Sequence, residues 1–255
     1  MKVRVLGCGT SSGVPRIGNE WGRCDPGEPR NRRTRSSVLI DSGGETLLVD
    51  CGPDLRQQLL DAGRSDIDAT IITHDHADHT HGIDDLRQLA RVTGRRMPLW
   101  ARAETMAGLE QRFSYAFSGH RYYDAILEPE ILAANDKAWG GGRLRFVDQP
   151  HGGITSLGIR FDRDHKSLVY AIDFSDLSDE MATLYTGADV WICDCLGIKP
   201  HPTHAHLDAV LGWAQDLKVG QLWLTHLDIV MDYSHLKGTL PDWAAPAHDG
   251  LEIEL

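Results

Sequence analysis

The window from Thr70 to Gly82 reads TIITHDHADHTHG: an apolar, β-branched run that ends in four histidines and two aspartates. In extended chain, side chains two apart point the same way, so His74 and His76 face one point. Asp78 and His79 fall where ADHTHGIDDL turns toward a helical pattern, and they face a second point close by. One strand end thereby offers ligands to two neighbouring metals. Imidazole and carboxylate suit Zn, Mn or Fe, and the motif contains no thiolate. Asp75 and His81 flank the set as supporting or surface groups.

A strand that ends in ligands needs a sheet to carry it, and the rest of the chain supplies one. Short runs such as VRVLG, SSVLID, TLLVD, RLRFV, SLGIRF, SLVYAI, DVWICD, QLWLT and LEIEL are strand-length, and most are bounded by Gly, Asp or Pro. Helical periodicity appears over Pro53–Ala62, with Leu55, Leu59 and Leu60 on one face and Gly63 after the end. Similar patterns cover Gly82–Arg91, Ala103–Phe113, Ser178–Tyr185 and His206–Leu217. The order is strands, then strand–helix alternation, then both again. This predicts an α+β chain of four layers, αββα, with two stacked mixed sheets and the helices outside. A length of 255 residues fits one large domain, 1–255, with ample core. Arg16 to Arg33 reads as a long irregular loop, functional or mobile.

Charge and cysteine content narrow the partners. Lys and Arg number 26 against 37 Asp and Glu, a net charge of −11. An acidic body is a poor surface for long duplex nucleic acid, which is bound by neutralising phosphates. A small anion held beside metals stays open. Five cysteines at scattered positions do not form a disulfide framework. With no secretory pattern and no apolar run of bilayer length, a cytoplasmic protein away from membranes is expected.

The H-x-H-x-D-H motif at a strand end resembles the signature of the metallo-β-lactamase superfamily, and later motifs follow in that family's order. DQPHGG makes His151 a ligand, VYAIDFSD makes Asp173 a bridging carboxylate, and LWLTHLD makes His226 a ligand. The resemblance implies one metal on His74, His76 and His151, a second on Asp78, His79 and His226, and Asp173 on both. It also implies hydrolysis by a hydroxide formed at two divalent ions, Zn or Mn.

Within the superfamily, LGCGTSSGVP and the CDCLGIKPHPTHAHLD segment resemble the branch shared by ribonuclease Z and the phosphoribosyl cyclic phosphate phosphodiesterase. On that likeness His204 is a catalytic group that protonates the leaving oxygen or stabilises phosphoryl charge, and Asp78 orients the hydroxide. Bacterial-type ribonuclease Z carries a transfer-RNA-gripping arm between its third and fourth motifs. Here His151 and Asp173 are only 22 positions apart. A small or nucleotide-like phosphodiester, such as a cyclic phosphate, is therefore the expected substrate. The alternatives are a nuclease acting on RNA ends, a thioester or lactone hydrolase, and a metal-binding interaction protein without turnover. The cyclic phosphodiesterase also holds a structural zinc through several cysteines. In this chain the matching loop has only Cys24, and Ile229 stands at the later ligand place, so that zinc is not expected.

Weaker signals remain. The glycines of GCGTSSG miss dinucleotide spacing and read as a tight loop bordering the site. RNRRTR, Arg30 to Arg35, reads as a solvated face. Arg87 is either near the site or paired with a neighbouring Asp. His120, Arg121 and Tyr122 suit a nucleotide or sugar, across a homodimer if one forms, and Tyr233 and His235 suit the pocket mouth.

Overall fold

The computed structural model describes all residues, Met1–Leu255. The first half holds β1 (Lys2–Gly7), β2 (Ser37–Ser42), β3 (Glu45–Val49), β4 (Ala69–Ile71), β5 (Met97–Ala101) and β6 (Leu127–Ile131), with helices α1 (Leu55–Ala62), α2 (Ala77–Thr80), α3 (Leu86–Thr93), α4 (Ala103–Arg112) and α5 (Ser114–Ser118). The second holds β7 (Asp136–Trp139), β8 (Gly142–His151), β9 (Ile154–Arg163), β10 (Lys166–Ala171), β11 (Val190–Asp194), β12 (Gln221–Thr225) and β13 (Ala244–Pro246), with α6 (Asp179–Tyr185), α7 (Leu207–Asp216) and α8 (Tyr233–Thr239). A last strand, β14 (Glu252–Glu254), returns to pair with β1.

Two seven-stranded sheets result, in the orders β14-β1-β2-β3-β4-β5-β6 and β13-β12-β11-β10-β9-β8-β7. In the first, pairing is antiparallel as far as β2·β3 and parallel from β3·β4 onward. In the second it is antiparallel from β7 to β10 and parallel from β10·β11 onward. Alternating side chains sort the layers, because neighbours on a strand face opposite ways. Val38 and Ile40 point between the sheets and join Leu144, Phe146, Leu168 and Tyr170 there. Leu39 and Leu48 point outward beneath Leu55, Leu86 and Leu109 of the helices. The outer face of the second sheet packs Val169 and Trp191 against Met181 and Val210. This is the αββα sandwich. Each such buried aliphatic side chain contributes about 1.5–3 kcal/mol relative to exposure.

Local signals account for several boundaries. Gly63 closes α1 in the left-handed region at φ 64°. Ser178 caps α6, accepting from the backbone N–H of Met181 at 3.2 Å. Three expectations need correction. Leu60 is 59% exposed, and the buried face of α1 is Leu55, Gln58 and Leu59. The Gly82–Arg91 helix is broken into a 3-10 turn at Ile83–Asp85 followed by α3. RNRRTR is not a solvated face, since Arg33 is buried, its guanidinium donating to the Met231 carbonyl at 2.7 Å.

The loop from Arg16 to Arg33 is pinned at several points. Val14, Trp21, Cys24 and Ile229 form a small core. Arg33 also donates to Asn31 Oδ1 and approaches Cys24 Sγ at 3.8 Å. Arg16 makes a two-pronged pair with Asp228 at 2.8 Å. No helix is long and apolar enough to cross a membrane.

Candidate active site

In open α/β sheets, ligands collect outside the carboxyl ends of parallel strands where the winding changes. Here two such ends face each other. Beyond β3 and β4 come Asp50, His74 and His76; His76 is the last extended residue, and Asp78 and His79 sit on the α2 turn that follows. From the opposite sheet come His151 at the end of β8, Asp173 after β10, Asp194 closing β11 and His226 after β12. The crossing of chains behind the motif is close: a Cβ on Gly52 would strike the Asp78 carbonyl, and one on Gly82 the Gly52 carbonyl. Three of the gathered residues, Asp50 (φ 61°), Asp173 (φ 53°) and His226 (φ 56°), hold left-handed backbone. Such conformations cost on the order of 1–3 kcal/mol each and persist where the surroundings enforce them.

All seven sequence-derived ligand candidates converge. Donor atoms of His74, His76, His151 and Asp173 lie within 4.8 Å of one another, as do those of Asp78, His79 and His226. Most of the imidazoles are fixed from behind and present the other nitrogen inward. His79 Nδ1 is 2.8 Å from Asp50 Oδ2, and His151 Nδ1 donates to the Thr203 carbonyl at 2.9 Å. His74 Nδ1 is 3.1 Å from Thr73 Oγ1. The inward atoms include His74 Nε2, His79 Nε2, His226 Nε2 and Asp173 Oδ1, all buried and without a hydrogen-bond partner. Buried polar atoms are rarely left so.

Their spacing explains the orphaning. Asp173 stands 3.5 Å from both His74 and His151 Nε2 and 3.4 Å from His226 Nε2. Two ligands at ~2.1 Å from a tetrahedral ion are about 3.4 Å apart. The donor set therefore fits divalent cations by spacing and chemistry.

The charges agree. Burial, aided by the neighbouring His79, holds His74 below the ordinary histidine range, and burial lowers His151. Burial also opposes charge on His79 and His226, but Asp173 and the carboxylates around it prevail, raising both, His226 to about 9. Burial likewise opposes the anions of Asp78 and Asp173; the surrounding imidazoles outweigh it and hold both below the usual carboxylate range.

His204 joins the cluster from the chain before α7. Its Nδ1 lies 3.0 Å from Asp194 Oδ2, and its ring stacks on His226 at 4.8 Å and meets His151 edge-on at 5.0 Å. Asp194 also approaches His226 Nδ1 at 3.5 Å through its other oxygen. Asp173, Asp194, His204 and His226 form a further group with donor atoms close enough to hold an ion.

Support residues went unread in the sequence. Asp50 accepts from the Thr73 backbone N–H at 2.8 Å besides holding His79. Beneath Asp173, Ser156 Oγ donates to its carbonyl at 2.7 Å, Gln149 donates to the Ile172 carbonyl and to Ser156, and Tyr185 donates to Gln149. Only an Asp at the end of an apolar run hints at Asp50 and Asp194.

The remaining candidates disperse. Asp75 pairs with Arg112 at 2.6 Å, Arg87 with Asp84 at 2.9 Å, and His81 packs on Phe113. Tyr233 is buried beneath Arg30, which corrects its expected place at a pocket mouth, while His235 is exposed. His120, Arg121 and Tyr122 are exposed on the loop after α5. The Gly-rich loop does border the site: the Cys8 carbonyl accepts from the backbone N–H of Leu227, next to His226.

Comparison with known proteins agrees with the geometry. A family model described as "Beta-lactamase superfamily domain" matches residues 45–227. The crystal structure of a diphosphatase from the PhnP family is 35% identical, covers 99% of this chain and 96% of its own, and superposes with a TM-score of 0.88. An octanoyltransferase of Porphyromonas gingivalis is 29% identical over 99% of this chain but 51% of its own length. A ribonuclease Z of Methanosarcina mazei is 38% identical over 73 residues, 28% of this chain and 24% of its own. The chain spans about half the length of the first curated relatives it matches. It belongs to the β-lactamase superfamily, with a PhnP-family diphosphatase and ribonuclease Z among the proteins it resembles.

Proposed function

We propose that the chain is a metal-dependent phosphodiesterase acting on small or nucleotide-like phosphodiesters such as cyclic phosphates. His74, His76 and His151 would hold one cation, Asp78, His79 and His226 a second, and Asp173 faces both. Zinc or manganese fits these nitrogen and oxygen donors. Two such ions supply positive charge that acidifies a water and neutralises phosphoryl oxygens.

The chain's own groups do the rest. Asp78, kept anionic by His79 and His226, accepts a hydrogen bond from the attacking water. Asp194 orients His204 through Nδ1 and would balance the charge of its imidazolium form, which gives its Nε2 proton to the leaving oxygen. That proton transfers as the phosphorus–oxygen ester bond breaks and the water oxygen joins phosphorus, the water's own surplus proton passing to bulk solvent. The observation that carries this reading is the Asp194–His204 pair placed against the orphaned cluster.

The preference for small substrates is supported by the hairpin that fills the span from His151 to Asp173. β9 and β10 turn tightly through Asp164 and His165, both at positive φ. The acidic body speaks the same way, as do five free, buried cysteines for a reducing, cytoplasmic compartment.

The test is a panel of bis(p-nitrophenyl) phosphate, 2′,3′-cyclic nucleotides, RNA oligomers, thioesters and lactones, with Zn- and Mn-loaded protein. Diester turnover is expected. His204→Ala should keep its metal content and lose about 10²-fold or more in turnover. Full turnover in that variant would remove the role of His204, and thioester or lactone turnover without diesterase activity would overturn the reading.

A further inference from the structure

The chain is acidic as a whole, but one groove on it is basic. α3 and the turn after it bring Arg87, Arg91, Arg95 and Arg96 to a groove of about 400 Å³. Tyr122 and Tyr123 also line it, and Asp124 is its one acidic residue. None of these residues belongs to the catalytic cluster.

Two of the arginines have partners: Arg87 pairs with Asp84 at 2.9 Å, and Arg95 with Asp68 at 3.1 Å. Arg91 and Arg96 are exposed and make no ion pair. A cation in the last helical turn offsets the negative end of the helix dipole. That accounts for Arg91. It does not account for Arg95 and Arg96, which lie beyond the Gly94 cap, nor for tyrosines that remain 78% and 53% exposed in the same groove.

The rings are already braced by guanidinium groups, Arg87 over Tyr123 at 4.8 Å and Arg121 over Tyr122 at 5.3 Å. Alternating aromatic faces and guanidinium forks are the chemistry that takes a nucleobase and its phosphate together. The volume lies in the range of a small-ligand pocket.

We propose that this groove is a nucleotide site distinct from the catalytic cluster, with phosphate held by Arg91 and Arg96 and the base laid on Tyr122 or Tyr123. A free nucleotide and the end of a short single strand share that chemistry. The site is independent of the catalytic reading, because it is tested by binding and not by turnover.

Isothermal titration of the full-length protein at low salt with ADP, with pentauridylate, with inorganic phosphate and with an oligoglutamate peptide tests it. Saturable binding of ADP or pentauridylate is expected, weakened about tenfold or more in Arg91→Ala/Arg96→Ala and in Tyr122→Ala/Tyr123→Ala. Hydrolysis of bis(p-nitrophenyl) phosphate by the arginine double variant should stay at the parent level. Tighter binding of ADP identifies a free nucleotide, and tighter binding of pentauridylate a strand end. The proposal is overturned if neither nucleotide probe binds, if both double variants bind as the parent does, or if phosphate or oligoglutamate binds as tightly as ADP.

Discussion

Each sheet changes from antiparallel to parallel pairing beside the site, at β3·β4 in one and β10·β11 in the other. From there the two diverge. The first delivers His74, His76, Asp78 and His79 from one strand end and one helical turn, behind which stands a single left-handed residue, Asp50. The second delivers His151, Asp173 and His226 from three separate strand ends, and two of those three are themselves left-handed. Where a contiguous segment carries several side chains, local geometry spaces them. Where single residues must turn the chain and point inward at once, the backbone is forced and a buried network holds it. Ser156, Gln149 and Tyr185 are that network under Asp173.

This difference can be broken experimentally. The largest effect is expected for Asp173→Asn, because its carboxylate stands against His74, His151, His79 and His226. Both cations should be lost or weakened, and diesterase activity should fall by about 10³-fold or more. Elemental analysis showing two tightly held equivalents of metal in that variant would dissolve the asymmetry between the half-sites. A smaller loss, about 10–100-fold in metal affinity or activity, is expected for Asp50→Asn, which loosens His79 while leaving that ligand present. An effect as large as that of Asp173→Asn would show that the contiguous half is no more self-sufficient than the scattered one.

The smallest effect belongs to neither half. Asp249 braces the loop before β2 and the Gly-rich loop, accepting from Thr34 N and Oγ1 at 2.7 Å and from Cys8 N at 3.1 Å. Burial pushes its carboxyl up to about 6. A raised carboxyl contributes stability that is present below its unfolded value near 4 and is lost as the pH climbs through 6. The melting temperature of the parent relative to Asp249→Asn should therefore drop between pH 4 and pH 7, by an amount equivalent to about 3 kcal/mol at most. A difference that stays constant with pH would show that this carboxyl does not titrate on folding.

How much could be read from the chain follows the same division. His74, His76, Asp78 and His79 were legible because the two-residue period of a strand and the start of a helix fix their directions. His151, Asp173 and His226 were legible only through their order along the chain, since a lone His or Asp after a strand says little. Asp50 and Asp194 act through imidazoles brought close by the sheets, and no spacing encodes that. Among the strands, β5, β6, β7 and β13 went unread. β6, β7 and β13 are edge strands, and β6 and β13 contain Pro129 and Pro246, a residue edges tolerate because one face of the backbone need not pair. β5 contains Pro98 and is held between β4 and β6 by parallel pairing that only the assembled sheet provides.

The left-handed residues also bear on which substitutions the site has open to it. Asp, Asn and His are the non-glycine residues most enriched in that part of backbone space, and Asp50, Asp173 and His226 are what the chain places there. The tightest corners of the site therefore select the same side chains that its chemistry uses, two as candidate ligands and Asp50 as the support of a third. A mutation to Ala or Val at any of them meets two penalties from one change, and a mutation to Gly relieves the corner but empties the site. Asn would keep the turn but lose the charge, so at these three positions few residues satisfy backbone and chemistry together, and sequence drift has few places to go.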